Sequence, residues 1–131
     1  SLPVFIVGFS RGTVDAGTYG TRFPQGISGI VLISGIYENS SKKASDYSME
    51  MIIGRRIETP ILIVHHESDR CHVTSYEAAA LFFKALKSPR KRFISSASGI
   101  PTGRECGPFH HHGFEGVEGI VAAKVASWLV N

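Results

Sequence analysis

Short runs of β-branched and aromatic residues alternate along the chain with segments whose apolar positions recur at helical spacing. The strand-like runs occupy residues 3–9, 27–34, 60–65 and 92–96. The helical segments occupy residues 11–23, 78–86 and 117–129. Strands that alternate with helices form βαβ units, in which a parallel sheet is covered on both faces. The pattern predicts a single α/β domain over residues 1–131, with a mainly parallel four-stranded sheet and flanking helices.

The helical segments differ in how clearly the sequence marks them. Thr74 and Glu77 stand at capping-box spacing ahead of the second helix, and Pro89 is predicted to stop that helix. The polar stretch 36–58 is predicted to hold a short helix around residues 47–53. The last helix is predicted to bury one stripe of apolar side chains, which consists of Val117, Ile120, Val121, Val125, Trp128 and Leu129.

Composition and charge exclude several classes of partner. The 131 residues are 43% hydrophobic and 19% charged, which is typical of a globular domain. The net charge is only +3, and the basic clusters at 42–43, 55–56 and 90–92 have no interleaved aromatic side chains that could stack on bases. We therefore expect no nucleic acid as a partner. The apolar runs are too short to span a bilayer, so no membrane association is expected, nor does a leader-like segment open the chain.

The segment Gly8-Phe9-Ser10-Arg11-Gly12 places a serine between a predicted strand and a predicted helix, in the pattern G-x-S-x-G. A sharp turn at such a site holds the serine in a strained backbone conformation, and side chains at Gly8 or Gly12 are expected to collide with neighbouring backbone. The hydroxyl of Ser10 then lies at a helix amino terminus, where the N–H of Arg11 could donate to a developing oxyanion. A glycine-rich turn with an ordinary serine is the alternative, since the chain holds 14 glycines.

An acid and a base follow in the order that a nucleophile elbow requires. Asp69 comes just after the third strand, and His112 lies in the loop between the fourth strand and the last helix. Both lie at the carboxyl ends of strands, where open α/β sheets place their sites. A neutral imidazole can take the proton of a serine, and a carboxylate can hold that imidazole in one tautomer. The sequence therefore predicts Ser10 as nucleophile, His112 as base and Asp69 as acid.

These assignments have alternatives in the sequence. Glu67 is a rival acid, although it follows the strand very closely, and Asp69 could simply form the turn before the helix. His111 is the runner-up base; His112 is preferred because Gly113 and then a helix follow it. The histidines at 110–112 could also form a solvated loop.

The histidines also raise a metal hypothesis. His65, His66 and His72 could converge with residues 110–112 if their two loops touch. The chain has no H-E-x-x-H or C-x-x-C spacing, so we predict neither a metal nor a cofactor.

The two cysteines stand close to the predicted acid and base. Cys71 follows Asp69 by two residues, and Cys106 precedes His112 by six. If Asp69 and His112 are hydrogen-bonded, their loops are neighbours and the cysteines can come within bridging distance. A Cys71–Cys106 disulfide would indicate a periplasmic or secreted protein, whereas two free thiols would fit a cytoplasmic one.

Taken together, these residues resemble the α/β-hydrolase superfamily from residue 4 to residue 130. The elbow around Ser10, the segment His65-His66-x-x-Asp69 and the segment His112-Gly113-Phe114 look like the triad motifs of that superfamily. The set is most similar to bacterial esterase or dienelactone-hydrolase-like members, some of them exported and disulfide-bonded. The resemblance implies that Ser10, Asp69 and His112 carry catalysis and that the Arg11 N–H supplies half of the oxyanion hole.

The resemblance covers the carboxy-terminal half of that fold. Members of the superfamily have several strands before the elbow, and a loop among those strands supplies the second oxyanion N–H. Without them the run Pro3–Phe9 would be a bare apolar edge, which is a template for pairing with another chain. We expect either a homodimer or an association with an amino-terminal fragment to cover this edge.

The expected activity is that of a serine esterase on a small ester, lactone or thioester. The stretch 36–58 is short for a lid, so an open site is expected and long-chain lipids are less suitable substrates. The alternative is a catalytically silent hydrolase half that serves as a structural or binding module. Such a module has no need to hold His112 within hydrogen-bond reach of Ser10.

Overall fold

The computed structural model describes residues 2–38 and 48–131. Its strands are β1 (Phe5–Phe9), β2 (Gly29–Ile33), β3 (Ile61–His66) and β4 (Lys91–Ser96). Its α-helices are α1 (Gly12–Arg22), α2 (Met49–Ile52), α3 (Tyr76–Ala85) and α4 (Glu118–Leu129), with short 3-10 turns at Pro24–Gly26 and His111–Gly113. The four strands form one parallel sheet in the order β1-β2-β3-β4. The predicted α/β class and parallel sheet are confirmed, while part of the predicted 36–58 excursion, residues 39–47, lies outside the described residues.

The sheet separates two apolar layers, because successive side chains of a strand point to opposite faces. On one face Ile30 and Leu32 of β2 pack with buried residues of α1, α2 and α3. On the other face Val31 packs with Val121 of α4 and with the rest of that layer. β3 is fully buried along its whole length, which explains why its sequence is a continuous apolar run up to the histidines at its end.

Three details of the predicted helices are wrong. Ser75, not Thr74, caps α3: its hydroxyl accepts from the N–H of Ala78 over 3.1 Å. The helix then ends at Ala85, before Pro89 is reached. In α4 the side chain of Ile120 is 60% exposed and does not belong to the buried stripe.

β1 is the outer strand of the described sheet, since its hydrogen-bonded neighbour is β2 alone. Its side chains Val7 and Phe9 are 54% and 43% exposed on the face that α4 covers elsewhere. An apolar groove of about 350 Å³ between Ile33 and α4 lies on this same face. That a second copy or an amino-terminal fragment covers Pro3–Phe9 stays a prediction.

Candidate active site

Ser10 lies in the turn between β1 and α1 with a φ of 54°, in the left-handed region that residues with a side chain rarely adopt. Hydrogen bonds hold the turn on both sides of this residue. The N–H of Ser10 donates to the carbonyl of Ile33 over 2.8 Å, and the N–H and hydroxyl of Thr13 both donate to the carbonyl of Ser10. A strained backbone persists where its surroundings over-determine it, and such sites cluster where function needs a fixed side chain.

The two glycines of the elbow differ in whether the surrounding atoms leave room for a side chain. A Cβ on Gly8 would lie 2.4 Å from the backbone oxygen of Gly12, so the strand and the helix can approach only because Gly8 has no side chain. A Cβ on Gly12 would meet nothing within 4 Å among the described residues. The expected collision is therefore confirmed for Gly8 and wrong for Gly12.

Asp69 follows the end of β3 and its side chain is completely buried. Oδ1 accepts from the N–H of Cys71 over 3.0 Å, while Oδ2 lies 2.9 Å from Nδ1 of His112 and 3.3 Å from Nε2 of His65. Burial by itself would raise the pKa of this carboxyl. The hydrogen bonds from His112, His65 and the Cys71 N–H outweigh burial and hold the pKa of Asp69 well below its usual range. Asp69 is accordingly an ionised carboxylate at neutral pH.

His112 lies in the 3-10 turn His111–Gly113 and is 1% exposed. Its Nε2 lies 2.9 Å from Oγ of Ser10, and its Nδ1 faces the carboxylate of Asp69. Because an ionised carboxylate can only accept, the neutral ring carries its proton on Nδ1 and leaves the lone pair of Nε2 for the Ser10 hydroxyl. The structure thus brings the three predicted residues into one hydrogen-bonded chain across 102 residues of sequence.

The rival residues take no part in this chain of hydrogen bonds. Glu67 is exposed, and its backbone N–H donates to the carbonyl of Ser96. His111 stacks its ring on that of His66 at a centroid distance of 4.3 Å. Burial, together with the neighbouring His66 and His110, lowers the pKa of His111, which favours the neutral form of its ring.

Comparison with known proteins gives matches of structure but not of sequence: neither a known family's sequence model nor a curated protein matches this chain. A monoacylglycerol lipase of Paleococcus ferrophilus matches with a TM-score of 0.69 and 17% identity over 98% of this chain. An esterase of Pyrococcus furiosus gives a TM-score of 0.70 at 14% identity, and a dienelactone hydrolase of Anabaena variabilis 0.62 at 16%, each over 98% of this chain. The chain has the α/β-hydrolase fold.

This chain is shorter than the α/β-hydrolase structures that it matches. It spans 68% of the lipase, 53% of the esterase and 48% of the dienelactone hydrolase. Up to about half of each matched protein therefore has no counterpart among these 131 residues.

Two residues that were not predicted to be part of the site contact Asp69 and His112. The hydroxyl of Thr74 lies 3.1 Å from both Oδ2 of Asp69 and Nδ1 of His112. The hydroxyl of Ser34 donates to the backbone carbonyl of His112 over 2.7 Å. Ser34 is fully buried at the end of β2 with a φ of 50°, and a buried serine directly after an apolar strand is the one sequence signal that could have identified it.

His65 is a second imidazole in contact with Asp69. Its Nε2 lies 2.6 Å from the carbonyl of Thr74 as well as 3.3 Å from Oδ2 of Asp69, so Nε2 carries the proton and donates. The opposite nitrogen, Nδ1, is buried without a hydrogen-bond partner. His65 therefore contacts the same carboxylate oxygen of Asp69 as His112 does, and its donating nitrogen is directed at Asp69 and Thr74.

A disulfide joins Cys71 and Cys106, as predicted. It ties the loop that carries Asp69 to the loop that carries His112, at a sequence separation of 35 residues. Since the N–H of Cys71 also donates to Asp69, one residue contributes both to this covalent link and to the hydrogen bonds of Asp69.

Arg11, whose N–H is the predicted oxyanion donor, follows Ser10 directly and precedes the first residue of α1. Its backbone is already in the helical region, with a φ of −59°, so its amide belongs to the helix amino terminus. Its role in an oxyanion hole stays a prediction.

The histidines named in the metal hypothesis are distributed over separate contacts. His66 pairs with His111, while His65 and His112 share Asp69. Within residues 2–38 and 48–131, one group of three side chains places potential ligand atoms within 4.8 Å of one another, namely Cys71, His72 and Cys106. Among the described helices, moreover, none is long and apolar enough to cross a bilayer.

Proposed function

We propose that this chain is a serine hydrolase of esterase type, which cleaves a small ester, lactone or thioester through an acyl-enzyme. The observation that carries the proposal is the continuous hydrogen-bonded chain from Ser10 through His112 to Asp69, with 2.9 Å at each link. Ser10 is partly exposed whereas His112 and Asp69 are buried, which supports a nucleophile that a substrate can reach beside a base and an acid held by the fold.

In the acylation half-reaction, Oγ of Ser10 attacks the carbonyl carbon of the substrate while Nε2 of His112 takes the hydroxyl proton. The imidazolium that forms keeps its Nδ1–H directed at Asp69, whose negative charge stabilises it. Nε2–H then protonates the leaving alkoxide or thiolate, and the acyl group remains on Ser10. The carboxylate of Asp69 stays ionised throughout, in agreement with its lowered pKa.

In the deacylation half-reaction, His112 again acts as a general base, now on a water molecule that attacks the acyl carbonyl. The acid product leaves, and the proton returns to Oγ of Ser10. Both half-reactions pass through an oxyanion, for which the Arg11 N–H is one donor. In α/β-hydrolases the second donor comes from a loop ahead of the elbow. Each such donor is worth roughly a hundred- to a thousandfold in turnover.

The substrate class rests on two observations. The matched structures are named as a lipase, an esterase and a dienelactone hydrolase, and these names have ester-type bonds in common. The partial exposure of Ser10 favours a small substrate in an open site. The disulfide supports a periplasmic or secreted location, since such bonds persist in oxidising compartments.

The alternative function is a silent module that has kept the fold without the activity. The 2.9 Å contact between His112 and Ser10 argues against it, because a binding module has no use for a serine hydrogen-bonded to an oriented imidazole.

Rapid-mixing kinetics with p-nitrophenyl acetate test the proposal. The parent chain is expected to release a burst of p-nitrophenolate equal to its own concentration, followed by slower turnover, because this good leaving group departs in a fast acylation step and the acyl-enzyme then accumulates ahead of slower deacylation. Ser10→Ala should show no burst. A folded parent chain that releases p-nitrophenolate no faster than Ser10→Ala would contradict the proposed activity.

A further inference from the structure

We propose that the chain binds one thiophilic divalent cation such as Zn²⁺ through Cys71, Cys106 and His72 when the disulfide is reduced. The site alternates between two closed forms, a disulfide and a metal complex. It is separate from the Ser10 chemistry and does not depend on the chain being a hydrolase.

The geometry supports three ligands. The Sγ atoms of both cysteines and a ring nitrogen of His72 lie within 4.8 Å of one another, and Nδ1 of His72 lies 3.8 Å from Sγ of Cys106. In a tetrahedral zinc site with Zn–S near 2.3 Å and Zn–N near 2.0 Å, neighbouring ligand atoms are roughly 3.5 to 3.8 Å apart. The histidine and Cys106 are therefore already at about the separation that a shared zinc ion requires.

Reduction of the disulfide allows the two sulfur atoms to reach the separation that a zinc site requires. A thiol or phosphine reductant delivers two electrons to the S–S bond and is itself oxidised, and each sulfur takes up one proton. The freed sulfurs then move apart to non-bonded contact, a distance close to the sulfur–sulfur edge of a zinc tetrahedron. Zinc displaces one proton from each thiol, so two thiolates neutralise the charge of the ion while the neutral imidazole completes three ligands and water fills the fourth position.

The surroundings of the three residues suit such an exchange. Cys106 and His72 are exposed, so a reductant and a hydrated ion can reach them, whereas Cys71 is buried and fixed. The carbonyl of Cys71 accepts from the N–H of Thr74, and its own N–H donates to Asp69. Cys71 is thus held in place by its hydrogen bonds, whereas the exposed side chains of Cys106 and His72 have room to adjust to an ion. In the metal form the ion, instead of the disulfide, links the loop that carries Asp69 to the loop that carries His112.

Cobalt titration of the full chain tests this site. Co²⁺ replaces Zn²⁺ in tetrahedral thiolate sites and gives visible d–d bands and a thiolate charge-transfer band, which zinc lacks. The chain is first reduced with tris(2-carboxyethyl)phosphine, and Zn²⁺ is then added to displace the cobalt. The oxidised chain, the Cys71→Ser/Cys106→Ser double variant and His72→Ala are titrated in parallel, with His110→Ala as a matched control from outside the group.

The reduced parent and reduced His110→Ala are expected to bind one equivalent of Co²⁺ with tetrahedral bands that one equivalent of Zn²⁺ removes. The oxidised parent and the double variant should show no such bands. His72→Ala should bind at least about tenfold more weakly, since even outer-shell partners are worth roughly 10- to 100-fold in metal affinity.

Two results would overturn the proposal. One is a reduced parent chain without stoichiometric tetrahedral cobalt. The other is a His72→Ala variant that binds as tightly as the parent, because two cysteines of an unfolded chain would then account for the signal. If reduction lowers the helical circular dichroism, one equivalent of Zn²⁺ should restore it in the parent and not in His72→Ala; failure to restore it counts against the site.

Discussion

The hydroxyl of Thr74 donates a hydrogen bond of 3.1 Å to Oδ2 of Asp69, the same carboxylate oxygen that lies 2.9 Å from Nδ1 of His112. The hydroxyl is also 3.1 Å from Nδ1 itself, so threonine, acid and base form a closed triangle. Thr74 is fully buried, and its hydroxyl therefore has no access to bulk water that could substitute for these contacts. We therefore propose that Thr74 positions Asp69 and His112.

Thr74→Val keeps the shape of the side chain and removes the hydroxyl. A hydrogen bond to a charged group is worth about 1.5 to 3 kcal/mol, so we expect kcat for a p-nitrophenyl ester to fall by roughly ten- to a hundredfold. Thr74→Ser keeps the hydroxyl and should retain most of the activity. A Thr74→Val variant with the parent kcat and an unchanged pH profile would show that the triangle has no part in orienting His112.

The sequence misassigned Thr74 for a physical reason. Thr74 and Ser75 are both good capping residues ahead of the same helix, and capping-box spacing to Glu77 favoured the first of them. The structure uses Ser75 as the cap and directs Thr74 toward Asp69. Which of two adjacent hydroxyls faces the helix depends on the direction in which the loop leaves β3, and that direction is set by tertiary contacts rather than by local spacing.

Asp69→Asn tests the assignment of the acid. An amide can present an N–H to His112 where the carboxylate accepts one, and this favours the tautomer in which Nε2 no longer accepts from Ser10. By analogy with the same change in the Ser-His-Asp template of known serine hydrolases, we expect kcat to fall on the order of 10⁴-fold. Glu67→Gln, which alters the exposed rival carboxylate, should leave kcat within about twofold of the parent. If Glu67→Gln lowers kcat strongly and Asp69→Asn does not, Glu67 rather than Asp69 is the acid.

The stability of the chain should depend on pH through Asp69. Its folded-state pKa lies below the ordinary value of 3.8, so its contribution to folding is present above that value and is lost as pH falls through the folded pKa. Urea unfolding of the parent and Asp69→Asn at neutral pH and near pH 3 isolates this group. The unfolding free energy of the parent should exceed that of Asp69→Asn at neutral pH, and this difference should decrease near pH 3. A difference that stays constant or grows toward low pH would show that the carboxyl is not stabilised as an anion in the fold.

Gly8→Ala and Gly12→Ala form a matched pair at the elbow. Alanine at Gly8 would press its Cβ against a backbone oxygen, and overpacking of this kind costs typically about 1 to 3 kcal/mol of unfolding free energy. Alanine at Gly12 meets open space at the start of α1, where its better helix propensity gives a neutral or slightly positive effect of up to about 1 kcal/mol. Urea unfolding midpoints measure both changes. Equal destabilisation by the two substitutions would contradict the local packing described here.

Other parts of the site followed directly from the sequence. The order of the strand-like runs places Ser10, Asp69 and His112 at the carboxyl ends of parallel strands, and this order needs no knowledge of side-chain packing. Ser34 and His65 could not be derived in this way. Their contacts with His112 and Asp69 depend on how β2 and β3 are registered against each other and on a loop distant in sequence.

Labelling with a fluorophosphonate, read by intact mass, tests the central claim most directly. The parent chain and Ser88→Ala, whose altered hydroxyl lies before β4 and away from the elbow, are compared with Ser10→Ala and His112→Ala. The account predicts one adduct on the parent and on Ser88→Ala, none on Ser10→Ala, and greatly slowed labelling of His112→Ala. A parent chain that is folded by circular dichroism and takes up no adduct, or a Ser10→Ala variant that still does, would contradict an activated Ser10.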